Sequence, residues 1–438
     1  MTLIDSFLLI PFALEQYKKT KIDYKIFEIE NRNIPRNKRK ITAYLEDDCR
    51  DLYELLTGFH EKIGKHLTIG SAAFDSMKKL GYTIPKLGKN HDAKFRPFYY
   101  GGRCQAFETG IFKSKQEYID INSAYPRAMM DEHPTGNSYD ISNTLPKKLN
   151  NQFIIIKAIA KGCFPFRDDK GGLTFPDDDI YRTYHITGWE LKAAIDTNTI
   201  GDYEIEMVYT PKSTMNFKKF VKLHYETKAY CKSVNDRIGE LAAKFLLNSG
   251  YGKFCTNPEK FKKFWLIPIG EDWTDYNFTS GSYMEEDKND YECDLGHLSL
   301  WSKGDYNERG FFDVATGASI TGWVRAYLWR SICACQGVLY CDTDSIICKS
   351  HNLPLSNELG DWKLEAKVTE ARIAGKKLYS INTKDGWMTA SKGVRLDEKQ
   401  MQDICQGGEA TWRNDAPSFK VGKKRAGFVK RTIKGKKK

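Results

Sequence analysis

The sequence has no apolar run that approaches the roughly 20 residues needed to cross a membrane. Its amino terminus carries a short apolar run, but no basic residues precede it and Asp5 comes early, so it makes a poor signal peptide. The eleven cysteines include no CxxC pair and no spacing with histidine that is typical of zinc sites. We therefore expect a cytoplasmic protein that does not bind membranes and keeps its thiols reduced.

Internal repeats are absent too, and the only low-complexity stretch is a lysine-rich end. With 438 residues and 41% hydrophobic content, the chain is long enough to fold into two to four subdomains. Its formal net charge is +11, and the 19 residues from Lys420 to Lys438 hold ten basic residues and no acid. The rest of the chain is nearly neutral. Such a basic segment suits a phosphate backbone, although a solvated tail has the same composition.

The segment from Val338 to Cys348 reads VLYCDTDSIIC and predicts a β-hairpin with Asp342 and Asp344 at its turn. Two carboxylates this close repel each other, and burying them without a partner is costly. A divalent cation such as Mg²⁺ would relieve this repulsion. The alternative is a solvent-exposed turn rich in Asp, Thr and Ser.

A second carboxylate follows a predicted buried strand in the segment from Glu117 to Pro126, EYIDINSAYP. The strand is expected to end near Asp120, and Ser123 can cap the helix that follows. An acid at this position can present a metal ligand. It could equally be an aspartate that caps the helix.

Helical patterns are predicted for Ile41–Gly64 and Phe311–Cys335, whereas residues 66–110 have an irregular pattern. Two helices are expected in 217–254, with a break at 233–236 and an end at Asn248-Ser249-Gly250. Residues 131–210 suggest a mixed α/β insertion, 255–310 a second insertion, 365–379 a mixed helix and strand segment, and the C-terminal part a small separate module.

Taken in order, three motifs resemble those of family B DNA polymerases. DINSAYP resembles motif A, KFLLNSGYG resembles motif B, and YCDTDS resembles motif C. YYGG before motif A and Lys377-Leu378-Tyr379 after motif C are similar to elements of the protein-primed subgroup, which is found in phages and linear plasmids. The sequence is therefore identified as a member of that subgroup, lacking most of the N-terminal exonuclease domain.

The resemblance implies a mixed α/β (α+β) fold in the form of a right hand. Its expected segments are an exonuclease remnant (1–65), a linker and palm with motif A (66–130), a terminal-protein-like insertion (131–210), fingers with motif B (211–254), an insertion linked to processivity and strand displacement (255–312), palm with motif C (313–387), and a thumb with a basic end (388–438).

The resemblance also implies a site for two-metal phosphoryl transfer. The expected catalytic and metal-binding residues, for two Mg²⁺ or Mn²⁺ ions, are Asp120, Asp342 and Asp344, with Asp120 and Asp344 as the bridging ligands. The expected nucleotide-binding residues are Tyr125, which would exclude a 2′-hydroxyl, Lys232, Lys244, Asn248 and Tyr251. The expected DNA-binding residues are Tyr99, Gly101, Gly102, Arg103, Ser123, Arg325, Lys377 and Tyr379, where Arg325 lies in an imperfect TxxAR element with Thr321.

The expected function is template-directed DNA synthesis from a primer–template and dNTPs, with a terminal priming protein, by a monomeric polymerase in the cytoplasm of a host cell. Tyr44-Leu-Glu-Asp-Asp48 resembles one exonuclease motif, but its two partner motifs are missing, so proofreading is not expected from this chain alone. Two alternatives remain. One is a catalytically inert DNA-binding replication subunit, and the other is an RNA-synthesising polymerase, which the Asp-Thr-Asp order and Tyr125 disfavour.

Overall fold

The computed structural model describes residues 6–12, 14, 17–18, 20–28, 30–258, 262–270, 290–295, 298–304, 311–413 and 430–435. Parts of the predicted second insertion and most of the basic segment Lys420–Lys438 lie outside these described residues. Helices and strands both contribute widely, which confirms the predicted mixed class. Within the described ranges, no helix is both long and apolar enough to cross a membrane.

The chain divides into two compact units. The first contains Met1–Ile84, Tyr125–Glu132 and Met215–Phe254, and the second contains Pro85–Ala124, His133–Thr214 and Cys255–Lys438. The seven segments drawn from the sequence stay predictions. In the described chain the α-helices are α1 (Pro35–Ile63), α2 (Ile69–Lys79), α3 (Lys89–Phe95), α4 (Ala124–Ala128), α5 (Gly188–Asp196), α6 (Lys218–Ser233), α7 (Arg237–Phe254), α8 (Val314–Ala334) and α9 (Glu398–Cys405).

The strands follow the same chain order. They are β1 (Cys104–Ala106), β2 (Gly110–Phe112), β3 (Gln116–Ile121), β4 (His133–Pro134), β5 (Tyr139–Ser142), β6 (Phe153–Ala160), β7 (Phe166–Arg167), β8 (Leu173–Thr174), β9 (Arg182–Thr187), β10 (Ile200–Pro211), β11 (Thr214–Met215), β12 (Lys262–Pro268), β13 (Asp290–Leu295), β14 (Leu298–Gly304), β15 (Cys335–Asp342), β16 (Ser345–His351), β17 (Trp362–Val368), β18 (Glu370–Gly375), β19 (Leu378–Thr383), β20 (Gly386–Ser391), β21 (Glu409–Arg413) and β22 (Lys430–Lys434).

The first unit is built mainly from α1, α2, α6 and α7. Its core joins Leu55 and Phe59 of α1 to Ala242 of α7, with Leu9 and Ile10 packed beside them. The predicted helix in 41–64 is confirmed, and it begins earlier, at Pro35, where proline suits the first helical turn. The region 66–110 was expected to be irregular, which is wrong, because it contains α2 and α3.

Helix α7 also corrects the sequence-based prediction, since it continues through Asn248-Ser249-Gly250 and ends at Phe254. Gly250 is buried, and a Cβ added there would lie 2.9 Å from the Met77 Cε and 3.3 Å from the Phe220 Cε1. This glycine lets α7 pack closely against α2 and α6, so it serves helix packing and does not end the helix.

The second unit contains a five-stranded sheet with the order β1-β15-β16-β3-β17 and antiparallel neighbours throughout. The predicted hairpin is confirmed as β15 and β16, and the predicted strand before Asp120 is confirmed as β3. Helix α8 confirms the pattern in 311–335, and Asp313 caps it by accepting a hydrogen bond from the Ala315 amide at 3.1 Å.

The segment 365–379 was expected to mix helix and strand, but it contains strands alone, from β17 through the start of β19. Strands β2, β18, β19 and β20 form a four-stranded sheet. The C-terminal part packs on this sheet, because the cluster around Met401 and Ile404 includes Ala374 and Leu378.

The predicted insertion at 131–210 contains a four-stranded sheet with the order β5-β10-β6-β9 and the helix α5. Thr187 and Glu190 form a capping box at the start of α5. Helix α5 packs against α8, so this region shares its packing with the rest of the second unit. In the second predicted insertion, β12, β14 and β13 form a three-stranded sheet.

Candidate active site

Asp120 and Asp344 lie on adjoining strands of the five-stranded sheet. Ser345 of β16 is opposite Asp120 of β3, and the Ile121 amide donates to the Asp344 carbonyl at 2.8 Å. Thr343, at the tip of the hairpin, has a left-handed backbone with φ of 64°. Asp120 and Asp344 are 224 positions apart in the sequence. The pairing of β3 with β16 brings their carboxylates together.

Both carboxylates are buried enough to disfavour their charged forms. Burial raises the pKa of Asp120 to about 7, with further contributions from the negative charges of Asp344 and Glu365. Burial also raises the pKa of Asp344 to about 6, helped by the charge of Asp342. The pair thus concentrates negative potential that a bound cation would neutralise.

Asp342 is in a different environment, because Lys377 neutralises it. The Lys377 Nζ lies 2.8 Å and 2.9 Å from the two carboxylate oxygens of Asp342. Lys377 has a left-handed backbone with φ of 55°, and its amide donates to the Tyr340 hydroxyl at 2.9 Å. Tyr379 packs against Tyr340, with 4.7 Å between ring centroids. Lys377 and Tyr379 are therefore bound to the hairpin itself.

The contacts of the three aspartates indicate which of them could hold a metal ion. The part of the chain that the structure describes holds no cluster of three or more His, Cys, Asp or Glu side chains suited to a metal ion. Mg²⁺, however, is commonly held by one or two carboxylates together with substrate phosphates and water. Asp120 and Asp344 fit that pattern, with Asp342 held by Lys377.

The segment 99–103, which we call the di-glycine segment, lies against the hairpin turn. The Thr343 amide donates to the Arg103 carbonyl at 2.6 Å, and Cys104 is opposite Asp342 in the sheet. A Cβ on Gly102 would lie 2.7 Å from the Thr343 Cγ2 and 2.8 Å from its Oγ1. Glycine at 102 is thus required by close contact with the turn.

The two predicted DNA-binding arginines are buried. Arg103 is 1% exposed, and its guanidinium lies over the rings of Phe175 and Trp329, 4.2 Å and 4.4 Å from their centroids. Burial lowers the pKa of Arg103 to about 10. Arg325 is 3% exposed and pairs with Glu190. Contacts between these side chains and DNA stay predictions that this geometry does not support.

Tyr99 and Ser123 have local roles in the second unit. The Tyr99 carbonyl accepts from the Arg167 Nη2 at 2.8 Å. Ser123 precedes α4 with φ of 58°, which differs from the extended backbone of most helix-capping residues, and its hydroxyl donates to Asn122 Oδ1 at 3.4 Å. Their contacts with DNA stay predictions.

The predicted nucleotide-binding residues lie in the first unit. The rings of Tyr125 and Tyr251 stack with 3.9 Å between centroids and 6° between planes. Lys244, Asn248 and Tyr251 share one face of α7 by their spacing. Lys232 lies in the last turn of α6.

Lys228 is a candidate that the sequence-based assignment of roles left out. Its pKa is lowered first by burial and then by the positive charge of Lys244, with a smaller contribution from Lys232, while the negative charge of Glu240 raises it. Both lysines and Glu240 therefore act on Lys228 electrostatically. The spacing of four residues between Lys228 and Lys232 was the signal in the sequence. Such a group of lysines suits a polyphosphate.

Comparison with known proteins identifies the family. The model for DNA polymerase type B, organellar and viral, matches residues 3–295. The chain is 34% identical to the DNA-directed DNA polymerase of Enterobacteria phage PRD1, over 98% of this chain and 81% of that protein. This chain belongs to the type B DNA polymerases. It is a DNA-directed DNA polymerase of the phage type.

Further comparisons place the polymerase among phage relatives. It is 24% identical to the DNA polymerase of Bacillus phage phi29, over 84% of this chain and 62% of that one. The crystal structure of phi29 DNA polymerase in its orthorhombic form matches with a TM-score of 0.71, covering 99% of this chain and 80% of that chain at 18% identity. The phi29 polymerase complexed with primer-template DNA and incoming nucleotide substrates gives a TM-score of 0.70. These structures show that the polymerase has the same fold.

Proposed function

We propose that the polymerase extends a primer 3′-hydroxyl on a DNA template, with Asp120 and Asp344 as the ligands of the catalytic metal ions. When bound, two Mg²⁺ ions, or Mn²⁺ in their place, would lower the pKa of the primer 3′-hydroxyl and stabilise the negative charge of the leaving pyrophosphate. Asp342, at the end of β15, is proposed as a further catalytic residue whose carboxylate is paired with Lys377, between β18 and β19.

The observation that carries this proposal is the contrast among the three acids. Asp120 and Asp344 are half-buried on paired strands and have raised pKa values, whereas the Lys377 ammonium lies within 3 Å of both carboxylate oxygens of Asp342. Since nearby like charges are costly when they are shielded from water, the pair with raised pKa values is the part of this site best suited to a divalent cation.

A second group of residues is proposed to bind the incoming nucleotide. Lys232 and Lys244, with Lys228 beside them, would bind the triphosphate as point charges. Tyr125 would select deoxyribose by excluding a 2′-hydroxyl, and Tyr251 with Asn248 would contact the nascent base pair. The stacking of Tyr125 on Tyr251 supports a shared aromatic surface for sugar and base.

The DNA contacts are proposed to come from the di-glycine segment, for the template, and from Lys377 and Tyr379, for the primer end. A terminal protein is proposed as the natural primer, on the basis of the resemblance of YYGG and KLY to protein-primed polymerases. The insertion at 131–210 is proposed as its contact region, and the one at 255–312 is proposed to serve processivity and strand displacement.

Primer extension tests the metal ligands directly. Asp120→Asn and Asp344→Asn are each expected to lower the extension rate by roughly a thousand-fold or more, because several kcal/mol of transition-state stabilisation depend on the metal. Duplex binding, measured by fluorescence anisotropy, should be largely retained. Asp385→Asn, at an exposed position between β19 and β20, is the matched control. Retained extension in either active-site variant would refute the assignment.

Protein priming needs a separate assay. The polymerase, a DNA end, one labelled dNTP and hydroxyl-bearing proteins of the same replicon should yield a labelled protein that survives denaturation. Synthesis that begins only from an oligonucleotide primer would contradict protein priming and leave the polymerase assignment intact.

A further inference from the structure

Arg325 of α8 is bonded to the backbone of the di-glycine segment. Its Nη1 donates to the carbonyls of Tyr100 at 2.7 Å and Gly101 at 3.1 Å. Its Nε donates to the Glu190 Oε1 at 2.7 Å, and both side chains are 2% exposed. A cation buried this deeply reaches protein acceptors and not solvent.

Glu190 is itself held in place. Its second oxygen, Oε2, accepts from the Thr187 amide at 2.9 Å and from the Thr187 hydroxyl at 2.8 Å. The carboxylate therefore joins the start of α5 to Arg325, with both oxygens in use. Because the predicted terminal-protein-like insertion contains α5, that insertion contributes a residue to the support of the di-glycine segment.

The di-glycine segment also supports the hairpin turn, Asp342–Asp344. Immediately after the carbonyls that Arg325 binds, Gly102 contacts Thr343 and the Arg103 carbonyl accepts the Thr343 amide. The Arg103 guanidinium is fixed as well, since its Nη1 donates to the Gly162 carbonyl at 2.7 Å. The path from Glu190 to Thr343 thus consists of the hydrogen bonds of Arg325 to Glu190 and to the Tyr100 and Gly101 carbonyls, and then the backbone from Gly101 to Arg103. It ends in the packing of Gly102 on Thr343 and the hydrogen bond from the Thr343 amide to the Arg103 carbonyl.

We propose that Arg325, oriented by Glu190, is a positioning residue that sets the place of the Asp342–Asp344 turn through the backbone of residues 100–103. This assigns Arg325 a role within the protein in place of a contact with primer DNA. It rests on the proposed metal-binding function of the turn. Arginine suits the role because its planar fork serves Glu190 and two carbonyls together, which the single ammonium of lysine cannot do in that geometry.

The decisive comparison separates catalysis from DNA binding. Arg325→Lys is expected to lower kcat by about 10- to 100-fold, since a small displacement of catalytic groups has effects of this size. The KM for primer–template should change little, and the dependence of DNA affinity on salt should keep its slope. Mg²⁺ binding to the polymerase–DNA complex, measured by calorimetry, should weaken. A phosphate contact predicts instead that the log–log salt slope falls by about 1 with kcat nearly intact, and that result would overturn the proposal.

Two further variants control for folding. Arg330→Gln removes another α8 to α5 ion pair, between Arg330 and Asp196 at 3.1 Å, that does not include the di-glycine segment. It should leave kcat and Mg²⁺ binding unchanged. Glu190→Gln keeps the shape of the side chain and should lower kcat in the same direction as Arg325→Lys, with native circular dichroism. Equal losses in Arg330→Gln and Glu190→Gln would show a merely structural role and contradict the proposal.

The proposed function and this inference fail separately. If Asp344→Asn retains extension, the metal site is wrong whatever Arg325 does. If Asp344→Asn is inactive while Arg325→Lys alters the salt slope alone, the metal site stands and the positioning role is wrong.

Discussion

At the scale of single residues, the clearest feature is how closely the hairpin turn at Asp342–Asp344 packs against its neighbours. Thr343 has a left-handed backbone, which is uncommon for a β-branched residue, and its side chain fills the space that a Cβ at 102 would need. The neighbouring Gly101 has nothing within 4 Å of the corresponding position. Two adjacent glycines thus differ sharply in what they tolerate.

Gly102→Ala should therefore impair catalysis more than Gly101→Ala. The added methyl forces Thr343 to move, and a displaced turn is expected to lower the primer-extension rate by about 10- to 100-fold. Both variants should be compared at saturating primer–template and dNTP, with circular dichroism to confirm folding. Equal rates for the two variants would contradict the close contact between Gly102 and the turn.

At the scale of elements, α7 depends on a close approach to α2 and α6 at Gly250. Gly250→Ala is expected to lower the free energy of unfolding by about 1–3 kcal/mol, because overpacking strains a filled core. Gly252, two residues later on the same helix, has nothing within 4 Å, so Gly252→Ala should raise the free energy of unfolding by about 0.5–1 kcal/mol.

Urea unfolding followed by far-ultraviolet circular dichroism measures both changes. Tryptophan fluorescence would not report on this unit, because all nine tryptophans lie in the second unit. A stabilised Gly250→Ala variant would show that α7 can shift away from Met77 and Phe220 at no cost.

The contact between α6 and α2 adds a dependence on pH. The His224 Nε2 lies 2.7 Å from the Ser76 Oγ, and burial lowers the pKa of His224 to about 4. Its folded pKa lies below the unfolded value of about 6.5, so its contribution to stability is present above pH 6.5 and lost as the pH falls toward 4.

Lowering the pH from about 7.5 to about 5 should therefore lower the free energy of unfolding by about 2 kcal/mol through His224. His224→Gln should reduce the loss over that interval by the same amount, as measured by urea unfolding at the two pH values. His60→Gln on α1, at a partly exposed position, is the matched control. An unchanged pH dependence in His224→Gln would mean that the imidazole is already accessible to protons.

At the scale of the whole molecule, charge is concentrated in one segment. The ten basic residues between Lys420 and Lys438 account for most of the net charge of +11. Each phosphate contact that a cation makes releases a counterion, so we expect this segment to contribute strongly to how DNA affinity depends on salt.

Replacing Lys423, Lys424 and Arg425 together by glutamine should lower the log–log salt slope of duplex binding by roughly 2–3 if all three contact phosphates. The kcat at saturating DNA should change little. Fluorescence anisotropy between about 50 and 200 mM salt gives the slope. The same substitution at Lys384, Lys399 and Arg395 is a control of equal charge, and an equal effect of the two triple variants would indicate a general loss of net charge.

The sequence by itself determined the elements that depend on local pattern. Apolar residues on both sides of a polar tip were enough to predict the hairpin that carries Asp342 and Asp344. Helical spacing was enough to predict α1, α6 and α8. The three motifs, taken in their order along the chain, were enough to identify the family, because each motif keeps particular residue types at fixed spacing.

Only the tertiary structure decided which side chains face each other. Local pattern at Asn248-Ser249-Gly250 favoured a helix end, yet packing on Met77 and Phe220 continues the helix. Arg103 and Arg325 were expected to contact DNA because the segments around them resemble polymerase motifs, yet both are buried among acceptors from distant segments. Burial and pairing depend on residues far away in sequence, so no local spacing could have shown that these arginines bond to backbone carbonyls beside or near the hairpin turn.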